Sequence, residues 1–374
     1  MTEIYLIRHA QAEGNLYRVM QGQWNGGVTP LGLTQIDALA KRFESVSVDA
    51  VYSSDLYRAV LTAGAITRTH PLPIVRLKEL REIDIGPWET RFFGDLKHEH
   101  PDEISAFMTD AENWSIPGAE SYSNVRRRGT GALRKIAEEN PGRTVCVVSH
   151  GITLRGILSG ITGVSLNDIK ALPMLWNTAV TRVVYDNGRF SLDYINDYSH
   201  LDGLTTSWPR IGELRAEYID PAREKDYYTR CYADAWRAAH GSLADFSARV
   251  YLKCAEEHYR NDRHSVIKLL EGDEPVGLVD MDAERGRAEG VGWLSLLYLR
   301  EDHRGRGYGA QALARAIFRY RALGREVLRL QCAEDNTAAM RFYERNGFAA
   351  VSSAETRLGK LLLLEKSLKE VPDA

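Results

Sequence analysis

Two histidines stand at the ends of short apolar segments that lie far apart in the chain. His9 follows residues 4–7 and Arg8, and His150 follows residues 145–148 and Ser149. Each apolar segment has the length of a fully buried strand, and turn-prone residues and a helical pattern come after it. Residues just past the carboxyl ends of parallel strands line the ligand crevice of an open sheet. We therefore expect the two histidines to face each other across one pocket.

Arginine and glutamate side chains near the same sheet edge indicate the chemistry. Arg8 precedes His9, Arg58 lies near the start of the helix predicted after residues 51–54, and Glu82 lies in a segment that reads LREIDIGPWE. Guanidinium groups bind phosphoryl oxygens bidentately. A neutral imidazole can attack phosphorus, and a carboxylic acid can protonate the departing alcohol oxygen. This set of residue types suits a phosphate monoester.

The first half resembles the histidine phosphatase superfamily, also called phosphoglycerate-mutase-like. The resemblance covers about residues 1–200 and is carried by the segments 6–15 (LIRHAQAEGN), 53–59 (SSDLYRA), 80–83 (LREI) and 149–151 (SHG). It implies that His9 is the phosphorylated nucleophile and that Glu82 is the proton donor. It also implies that the phosphoryl group is held by Arg8, Arg58 and His150, with Asn15 at the edge of the pocket.

Several positions depart from the family pattern. Ala10 stands where glycine is usual, Ala12 where threonine or serine is usual, and Thr90 follows Trp88 and Glu89 where glycine is common. The segment 89–93 (ETRFF) also lacks the basic, tyrosine-containing insert with which the mutases clamp a phosphoglycerate. A phosphatase is therefore favoured, and a phosphoglycerate mutase is the alternative.

A glycine-rich loop, residues 304–309 (RGRGYG), marks the second half; it follows a predicted strand and opens a predicted helix. Glycines let the backbone approach a ligand closely, and the N-terminus of a helix attracts an anion. A dinucleotide site is disfavoured because no acidic residue ends a neighbouring parallel strand at the expected distance. The Gly-Lys-Ser/Thr form of a phosphate loop is absent.

This loop, the strand before it (296–302, LLYLRED) and the later segment 336–348 (NTAAMRFYERNGF) resemble the GNAT acyltransferase family over about residues 212–366. The resemblance implies that Leu297 and Leu299 present backbone groups to the pantetheine arm of acetyl-CoA, that Asn336 contacts the pantetheine region and that Tyr343 protonates the leaving thiolate. The residues implied in the cradle of the pyrophosphate are Arg304, Gly305, Arg306, Gly307, Tyr308, Gly309 and Ala310.

Acyl transfer also needs an acceptor amine that has lost its proton, usually to a carboxylate directly or through water. Four carboxylates lie near the relevant strands, and the sequence does not choose among them: Asp280, Asp282, Glu284 and Glu289. The missing obvious base keeps a second hypothesis open, in which one half of the chain is a non-catalytic binding or regulatory module. In the first half, the intact set of histidines, arginines and glutamate argues against a lost activity.

The length of 374 residues exceeds what one core usually supports. We predict a histidine phosphatase domain over residues 1–200, a linker over 201–211 and a GNAT domain over 212–374. The fold class is α/β: a three-layer αβα domain with a mostly parallel sheet, followed by an α+β acyltransferase domain. The halves differ in pattern, which indicates a fusion of two unrelated enzymes.

Composition limits the partners. The net charge of -3 gives no electrostatic case for nucleic acid or an acidic membrane, and no apolar stretch approaches the ~18 residues that span a bilayer. The four cysteines are widely spaced without a CxxC pair, so we expect no metal or disulfide framework. They also favour a cytoplasmic location, as does a first strand with no signal-like segment before it. The expected substrates are a small phosphorylated metabolite, and acetyl-CoA with a small amine or N-terminal amine.

Overall fold

The computed structural model describes residues 1–204, 212–369 and 371. The chain divides into two compact units, which take in most of residues 1–204 and most of residues 212–369. The predicted linker over 201–211 falls mainly on residues 205–211, which lie outside the described residues. The predicted division into a phosphatase domain, a linker and a GNAT domain, with its boundaries, stays a prediction.

The first unit is built on a six-stranded sheet with the spatial order β3-β2-β4-β1-β5-β6. The first four strands in that order are parallel, and the last two form an antiparallel hairpin at the edge, so the sheet is mostly parallel as predicted. The strands are β1 (Thr2–Arg8), β2 (Ala50–Ser53), β3 (Ile74–Arg76), β4 (Thr144–Ser149), β5 (Val180–Asp186) and β6 (Arg189–Asp197).

The helices within residues 1–204 are α1 (Glu13–Tyr17), α2 (Pro30–Phe43), α3 (Tyr57–Thr67), α4 (Phe93–Glu99), α5 (Pro101–Thr109), α6 (Tyr122–Glu139) and α7 (Gly151–Thr162). Of these, α2, α3, α6 and α7 pack on the sheet and make the three-layer arrangement. Apolar residues of α2 and α3 share one buried cluster with Ile7, Val51 and Val148 of the strands. On α6, a Cβ at Gly129 would lie 2.8 Å from Cγ1 of Ile157. The absence of that Cβ lets α6 and α7 approach closely.

The second unit is built on a seven-stranded sheet with the order β12-β13-β11-β10-β9-β8-β7. Its strands are β7 (Arg215–Tyr218), β8 (Val266–Glu271), β9 (Glu274–Asp282), β10 (Val291–Leu299), β11 (Val327–Ala333), β12 (Ala349–Thr356) and β13 (Gly359–Ser367). The pair β10 and β11 is parallel, and the other neighbouring pairs are antiparallel. The helices are α8 (Lys225–His240), α9 (Ala248–Asn261), α10 (Tyr308–Ala322) and α11 (Thr337–Arg345).

A histidine between two aspartates joins α9 to β9. Nδ1 of His258 lies 2.8 Å from Oδ1 of Asp280, and Nε2 lies 3.5 Å from Oδ2 of Asp282. The Tyr228 hydroxyl donates to the other oxygen of Asp280 at 2.7 Å. Burial works against the charged imidazole, but the hydrogen bonds and negative charges of the two aspartates outweigh it and raise the pKa of His258 to about 10. The ring is therefore cationic at neutral pH.

The stabilisation that charged His258 gives to the second unit is lost at alkaline pH. Because the pKa of His258 is raised above its ordinary value of 6.5, its stabilisation is complete below pH 6.5 and is lost as the pH rises toward 10. We expect hydrogen exchange in α9 and β9, corrected for the intrinsic pH dependence, to become faster across this interval in the wild type. His258→Gln should remove that added dependence. The control is His264→Gln, which alters the more exposed pair with Asp262. Equal pH dependence in wild type and His258→Gln would contradict this account.

Candidate active sites

The register of two parallel strands brings the two histidines together. Arg8, the last residue of β1, is paired with Ser149, the last residue of β4, so His9 and His150 leave the sheet side by side. Their ring centroids are 5.1 Å apart, with 54° between the ring planes. Both side chains are buried. The carboxyl edge of the parallel strands therefore carries two adjacent imidazoles.

His9 has a defined tautomer because one ring nitrogen faces a carbonyl group. Its Nδ1 lies 2.7 Å from the backbone oxygen of Ala10. A carbonyl oxygen only accepts, so Nδ1 carries the hydrogen and Nε2 carries the lone pair. Burial, together with the positive charges of Arg58 and Arg8, holds the pKa of His9 well below the usual histidine range. The Nε2 atom is thus a neutral nucleophile at physiological pH.

The two predicted arginines are anchored with part of each guanidinium group unpaired. Arg8 donates to the carbonyl of Leu175 at 2.5 Å, and Arg58 donates to the carbonyls of Gly22 at 2.7 Å and Trp24 at 2.9 Å. Burial lowers the pKa of both guanidinium groups to about 10, which leaves them cationic at neutral pH. Within the described residues, neither buried Nε atom has a hydrogen-bond partner.

His150 is buried without a partner for either ring nitrogen among the residues that the structure describes. Burial and the charge of Arg58 hold its pKa well below the usual histidine range. Buried polar atoms are normally hydrogen-bonded, and exceptions call for an explanation. Two cations and an unpaired neutral imidazole at one sheet edge form a receptor for an anion with several oxygens.

Glu82 reaches the same edge and is held over the N-terminus of α7. Its Oε1 accepts from the backbone nitrogens of Ile83 at 3.1 Å and Thr153 at 3.0 Å, and its Oε2 accepts from the backbone nitrogen of Ile152 at 3.1 Å. The Thr153 hydroxyl lies 3.1 Å from Oε1. The positive end of a helix favours a carboxylate at this place.

Arg128 holds the backbone of the segment that carries Glu82. Its guanidinium group donates to the carbonyls of Glu79 at 2.7 Å, Arg81 at 2.6 Å and Glu82 at 3.0 Å. It also binds both carboxylate oxygens of Glu120, at 2.8 and 2.9 Å. Neither Thr153 nor Arg128 was found from the sequence. The signal for Thr153 was its place in the first turn of the helix after His150, where a carboxylate is commonly held.

Asn15 braces the loop after β1. Its Oδ1 accepts from the backbone nitrogen of Ala12 at 3.0 Å and from Nδ2 of Asn177 at 3.4 Å. The same Nδ2 donates to the carbonyl of His9 at 2.9 Å. Asn15 thus supports the loop that follows His9, and its role at the edge of the pocket stays a prediction; Asn177 is a further supporting residue that the sequence analysis missed.

Thr90, one of the departures from the family pattern, lies in a strained turn. Thr90 has a φ of 63°, in the left-handed region that glycine adopts without strain. The preceding carboxylate of Glu89 accepts from the backbone nitrogens of Gln23, at 2.6 Å, and Trp24. Glu89 thus holds the segment whose Trp24 carbonyl binds Arg58, but nothing in the structure explains why threonine replaces glycine at position 90.

In the second unit, β10 and β11 separate in the middle of the sheet. They pair only from Val291 to Trp293 of β10, although β10 runs on to Leu299. The register against β9 shifts between Leu294 and Leu296. Beyond the shift, the β11 side of β10, including Leu297 and Leu299, has no paired strand in the described chain. This leaves a wedge in which an extended ligand can bind to backbone groups.

The glycine loop follows this wedge. Gly305 has a φ of 74° and Gly307 a φ of 81°, which orient the loop into the first turn of α10 at Tyr308. The first backbone N–H groups of a helix have no intrahelical acceptor, so those up to Ala310 can bind an anion. The side chains of Arg304 and Tyr308 instead support the loop: Arg304 donates to the carbonyl of Leu299 at 2.9 Å, and the Tyr308 hydroxyl donates to Glu271.

The remaining acyltransferase residues have structural contacts of their own. Asn336 caps α11, because its Oδ1 accepts from the backbone nitrogen of Ala339 at 3.2 Å. Tyr343 is buried between Phe342 and Phe348, with ring centroids 5.1 and 5.4 Å away. Burial raises the pKa of the Tyr343 phenol, so its proton is present at neutral pH.

The four base candidates are all occupied by other contacts. Asp280 and Asp282 flank His258, and the hydrogen bond from that imidazole lowers the pKa of Asp282 to about 2. Glu284 is paired with Arg287 at 3.0 Å and Glu289 with Arg329 at 3.4 Å. The structure therefore singles out none of them as the base.

Two further observations concern classes of site. Among the described residues, no group of three or more histidine, cysteine, aspartate or glutamate side chains is arranged to hold a metal ion. Within the same residues, no helix is both long enough and apolar enough to pass through a bilayer.

Two family models match separate parts of the chain. Residues 4–198 match the family model of the histidine phosphatase superfamily (branch 1), and residues 224–348 match that of the acetyltransferase (GNAT) family. A protein named "Putative phosphoserine phosphatase 2" from Hydrogenobacter thermophilus is 30% identical over 205 residues, 55% of this chain and 100% of the relative. "Probable phosphoglycerate mutase GpmB" from Salmonella choleraesuis is 30% identical over 220 residues, 58% of this chain and 100% of the relative.

A solved structure shares the fold of the first unit. Bacillus stearothermophilus YhfR aligns with a TM-score of 0.53 and 29% sequence identity, over 54% of this chain and 100% of that one. The chain belongs to the histidine phosphatase superfamily (branch 1), and a GNAT-family domain is fused after its phosphatase domain.

Proposed function

We propose that the first domain hydrolyses a small phosphomonoester through a phosphohistidine intermediate on His9. The observation that carries this proposal is the set of buried nitrogens around that residue: the Nε atoms of Arg8 and Arg58 and both ring nitrogens of His150 lack partners among the described residues. A phosphoryl group has the charge and the oxygens to satisfy them. Arg8 and Arg58 supply the positive charge that a metal supplies in other phosphatases, so the proposed reaction needs none.

In the proposed first step, His9 takes the phosphoryl group and Glu82 gives a proton to the leaving oxygen. The lone pair on Nε2 of His9 attacks phosphorus while the bond from phosphorus to the ester oxygen breaks. The Glu82 carboxyl group gives its proton to that oxygen, which leaves as an alcohol. Arg8, Arg58 and His150 bind the three remaining phosphoryl oxygens, where charge is concentrated in the transition state.

The proposed second step returns both groups to their starting forms. The Glu82 carboxylate takes a proton from water as the water oxygen attacks phosphorus. The bond from phosphorus to Nε2 breaks, which restores neutral His9 and releases inorganic phosphate. The relative named as a phosphoserine phosphatase supports a phosphorylated metabolite with an alkyl ester as the substrate.

Replacement of the nucleophile tests this proposal. We expect His9→Ala to lower phosphoserine hydrolysis by about three orders of magnitude or more, because the covalent route is lost. The control is His98→Ala, which removes an exposed histidine and should leave hydrolysis unchanged. The measurement is inorganic phosphate release at matched protein concentration, with circular dichroism to show that both variants are folded.

The result that would overturn the proposal is hydrolysis by His9→Ala at a rate near that of the wild type. The relative named as a phosphoglycerate mutase supports an alternative reaction. A mutase would pass the phosphoryl group to a second hydroxyl group rather than to water. Interconversion of phosphoglycerate isomers without phosphate release would therefore support it.

We further propose that the second domain transfers an acetyl group from acetyl-CoA to a small amine. Acetyl-CoA would supply an activated thioester. The backbone of Leu297 and Leu299 in the wedge beside β10 would bind its extended arm, and the N–H groups of the glycine loop would bind its pyrophosphate. Tyr343 holds the proton that the departing thiolate needs. Four free cysteines support a reducing, cytoplasmic setting for both reactions.

A charge placed in the glycine loop tests the pyrophosphate site. Saturating acetyl-CoA should raise the melting temperature of the wild type, since a ligand at 100-fold its Kd stabilises by about 2.7 kcal/mol. No heavy atom lies within 4 Å of a Cβ built on Gly305. We expect Gly305→Asp to lose most of the shift through repulsion of the pyrophosphate. Gly305→Asn, of the same size and tolerance for positive φ, should keep more of it.

A second control separates strain from charge. Gly324 has a φ of 68° and open space around its Cβ, and it follows the other end of α10. Gly324→Asp should therefore retain the full shift. No thermal shift in the wild type, or equal shifts in Gly305→Asp and Gly305→Asn, would contradict the proposed site.

A further inference from the structure

One hydroxyl group in the first domain touches both the backbone and the carboxylate of the segment that carries the proposed acid. Oγ1 of Thr153 lies 2.7 Å from the carbonyl oxygen of Arg81 and 3.1 Å from Oε1 of Glu82. Thr153 is completely buried, in the first turn of α7. Its side chain therefore connects that turn to two successive residues of a segment distant in sequence.

The rotamer of Thr153 is held by the neighbouring helix. A Cβ at Gly129 of α6 would lie 3.5 Å from Cγ2 of Thr153, so the threonine methyl group packs against the bare backbone of that glycine. A β-branched side chain in a helix also has few accessible χ1 rotamers. The next residue back on α6, Arg128, donates to the same carbonyl of Arg81 at 2.6 Å. The packing of the methyl group and the anchored Arg81 carbonyl thus both hold the hydroxyl in place.

The two oxygens of Glu82 have unequal surroundings. Oε1 accepts from the backbone nitrogens of Ile83 and Thr153, and it lies 3.1 Å from the Thr153 hydroxyl, whose single hydrogen it shares with the Arg81 carbonyl. Within the described residues, Oε2 has one donor, the backbone nitrogen of Ile152 at 3.1 Å. A carboxylate oxygen offers about two lone-pair sites, so Oε1 has none to spare and Oε2 has one.

We infer that Thr153 is a positioning residue that fixes the Glu82 carboxyl group so that Oε2 carries the proton exchanged with the substrate. The inference rests on the proposed function, in which Glu82 protonates the leaving oxygen. The hydroxyl restrains rotation of the carboxyl group by its contact with Oε1 and by holding the Arg81 carbonyl, while the two backbone N–H groups fill the lone pairs of Oε1. The reaction gains no atom from Thr153; the proton moves from Oε2 to the ester oxygen, and Oε1 stays bonded to its donors.

The test compares two leaving groups. An alkyl phosphate such as phosphoserine needs a proton on its departing oxygen, whereas 4-nitrophenyl phosphate leaves as a stable anion. The parameter kcat/KM reports the steps up to alcohol release, before the shared attack of water. We expect Thr153→Val to lower kcat/KM for phosphoserine by about 10- to 100-fold, a part of what a general acid contributes. The value for 4-nitrophenyl phosphate should change by less than about threefold. Thr153→Ser, which keeps the hydroxyl, should resemble the wild type with both substrates.

Thr62, a buried threonine that contacts the backbone of Ala10 and Arg58, gives a matched control. Oγ1 of Thr62 accepts from the backbone nitrogen of Ala10 at 2.9 Å and donates to the carbonyl of Arg58 at 2.6 Å. Thr62→Val disturbs the nucleophile and the phosphoryl site, so it should lower kcat/KM for both substrates in parallel. A selective loss with Thr153→Val alone cannot then come from a general disturbance of the pocket.

Glu82→Gln completes the experiment. If Thr153 acts through Glu82, Thr153→Val in the Glu82→Gln background should cause no further selective loss. Equal losses on both substrates, or a selective loss that adds to that of Glu82→Gln, would overturn the inference. Should Thr153→Val fail to fold, Thr153→Ala gives the same reading. If Glu82→Gln itself does not distinguish the leaving groups, the proposed acid is wrong as well; if it does and Thr153→Val does not, only the role of Thr153 fails.

Discussion

Positive charge that is buried with donor atoms left unpaired among the described residues is the constraint on which the first domain depends. Arg8 and Arg58 are cut off from water at the carboxyl edge of the sheet, and their pKa values fall only to about 10, so both remain charged. Burial of a charge is costly unless other groups replace its hydration. Backbone carbonyls of Leu175, Gly22 and Trp24 do this in part. The rest of the interaction is left for a ligand, and this difference favours binding of a phosphoryl group over water.

Burial and the same positive charges together determine the state of the histidines. Because burial, with Arg58 and Arg8 nearby, disfavours protonation of His9, the imidazole keeps its lone pair, and the Ala10 carbonyl assigns that lone pair to Nε2. A cationic His9 would have no nucleophilic nitrogen. The second domain shows the opposite case at His258, where two aspartates make the ring cationic and structural. Identical side chains thus take different roles according to the charges around them.

The sequence contained the parts of the phosphatase site that short motifs encode. Arg8, His9 and His150 lie at strand ends and Arg58 near the start of a helix, so a parallel sheet brings them to one edge. Glu82 lies in the irregular segment after β3 and was found through its motif. Thr153, Arg128 and Asn177 could not be inferred in the same way. Their contacts depend on how closely α6 and α7 pack and on how loops distant in sequence meet, which local patterns do not specify.

In the second domain, the sequence predicted a strand before the glycine loop and a helix after it, and β10 and α10 lie there, because hydrophobic period and glycine position are local signals. The separation of β10 from β11 and the hairpin of β12 and β13 were not predicted, because the sequence of one strand does not determine which strand it pairs with. The acidic residues near β9 could be located but not assigned. Only the structure shows that His258 forms ion pairs with Asp280 and Asp282.

The central claim is that His9 becomes phosphorylated on Nε2. Rapid quenching of the wild type with phosphoserine, under conditions that preserve phosphoramidates, followed by ³¹P NMR and peptide mass spectrometry tests it most directly. The account predicts a transient phosphoryl group on Nε2 of His9, formed before phosphate release. A phosphoryl group on Nδ1 or on another residue, or phosphate release with no covalent intermediate, would contradict it.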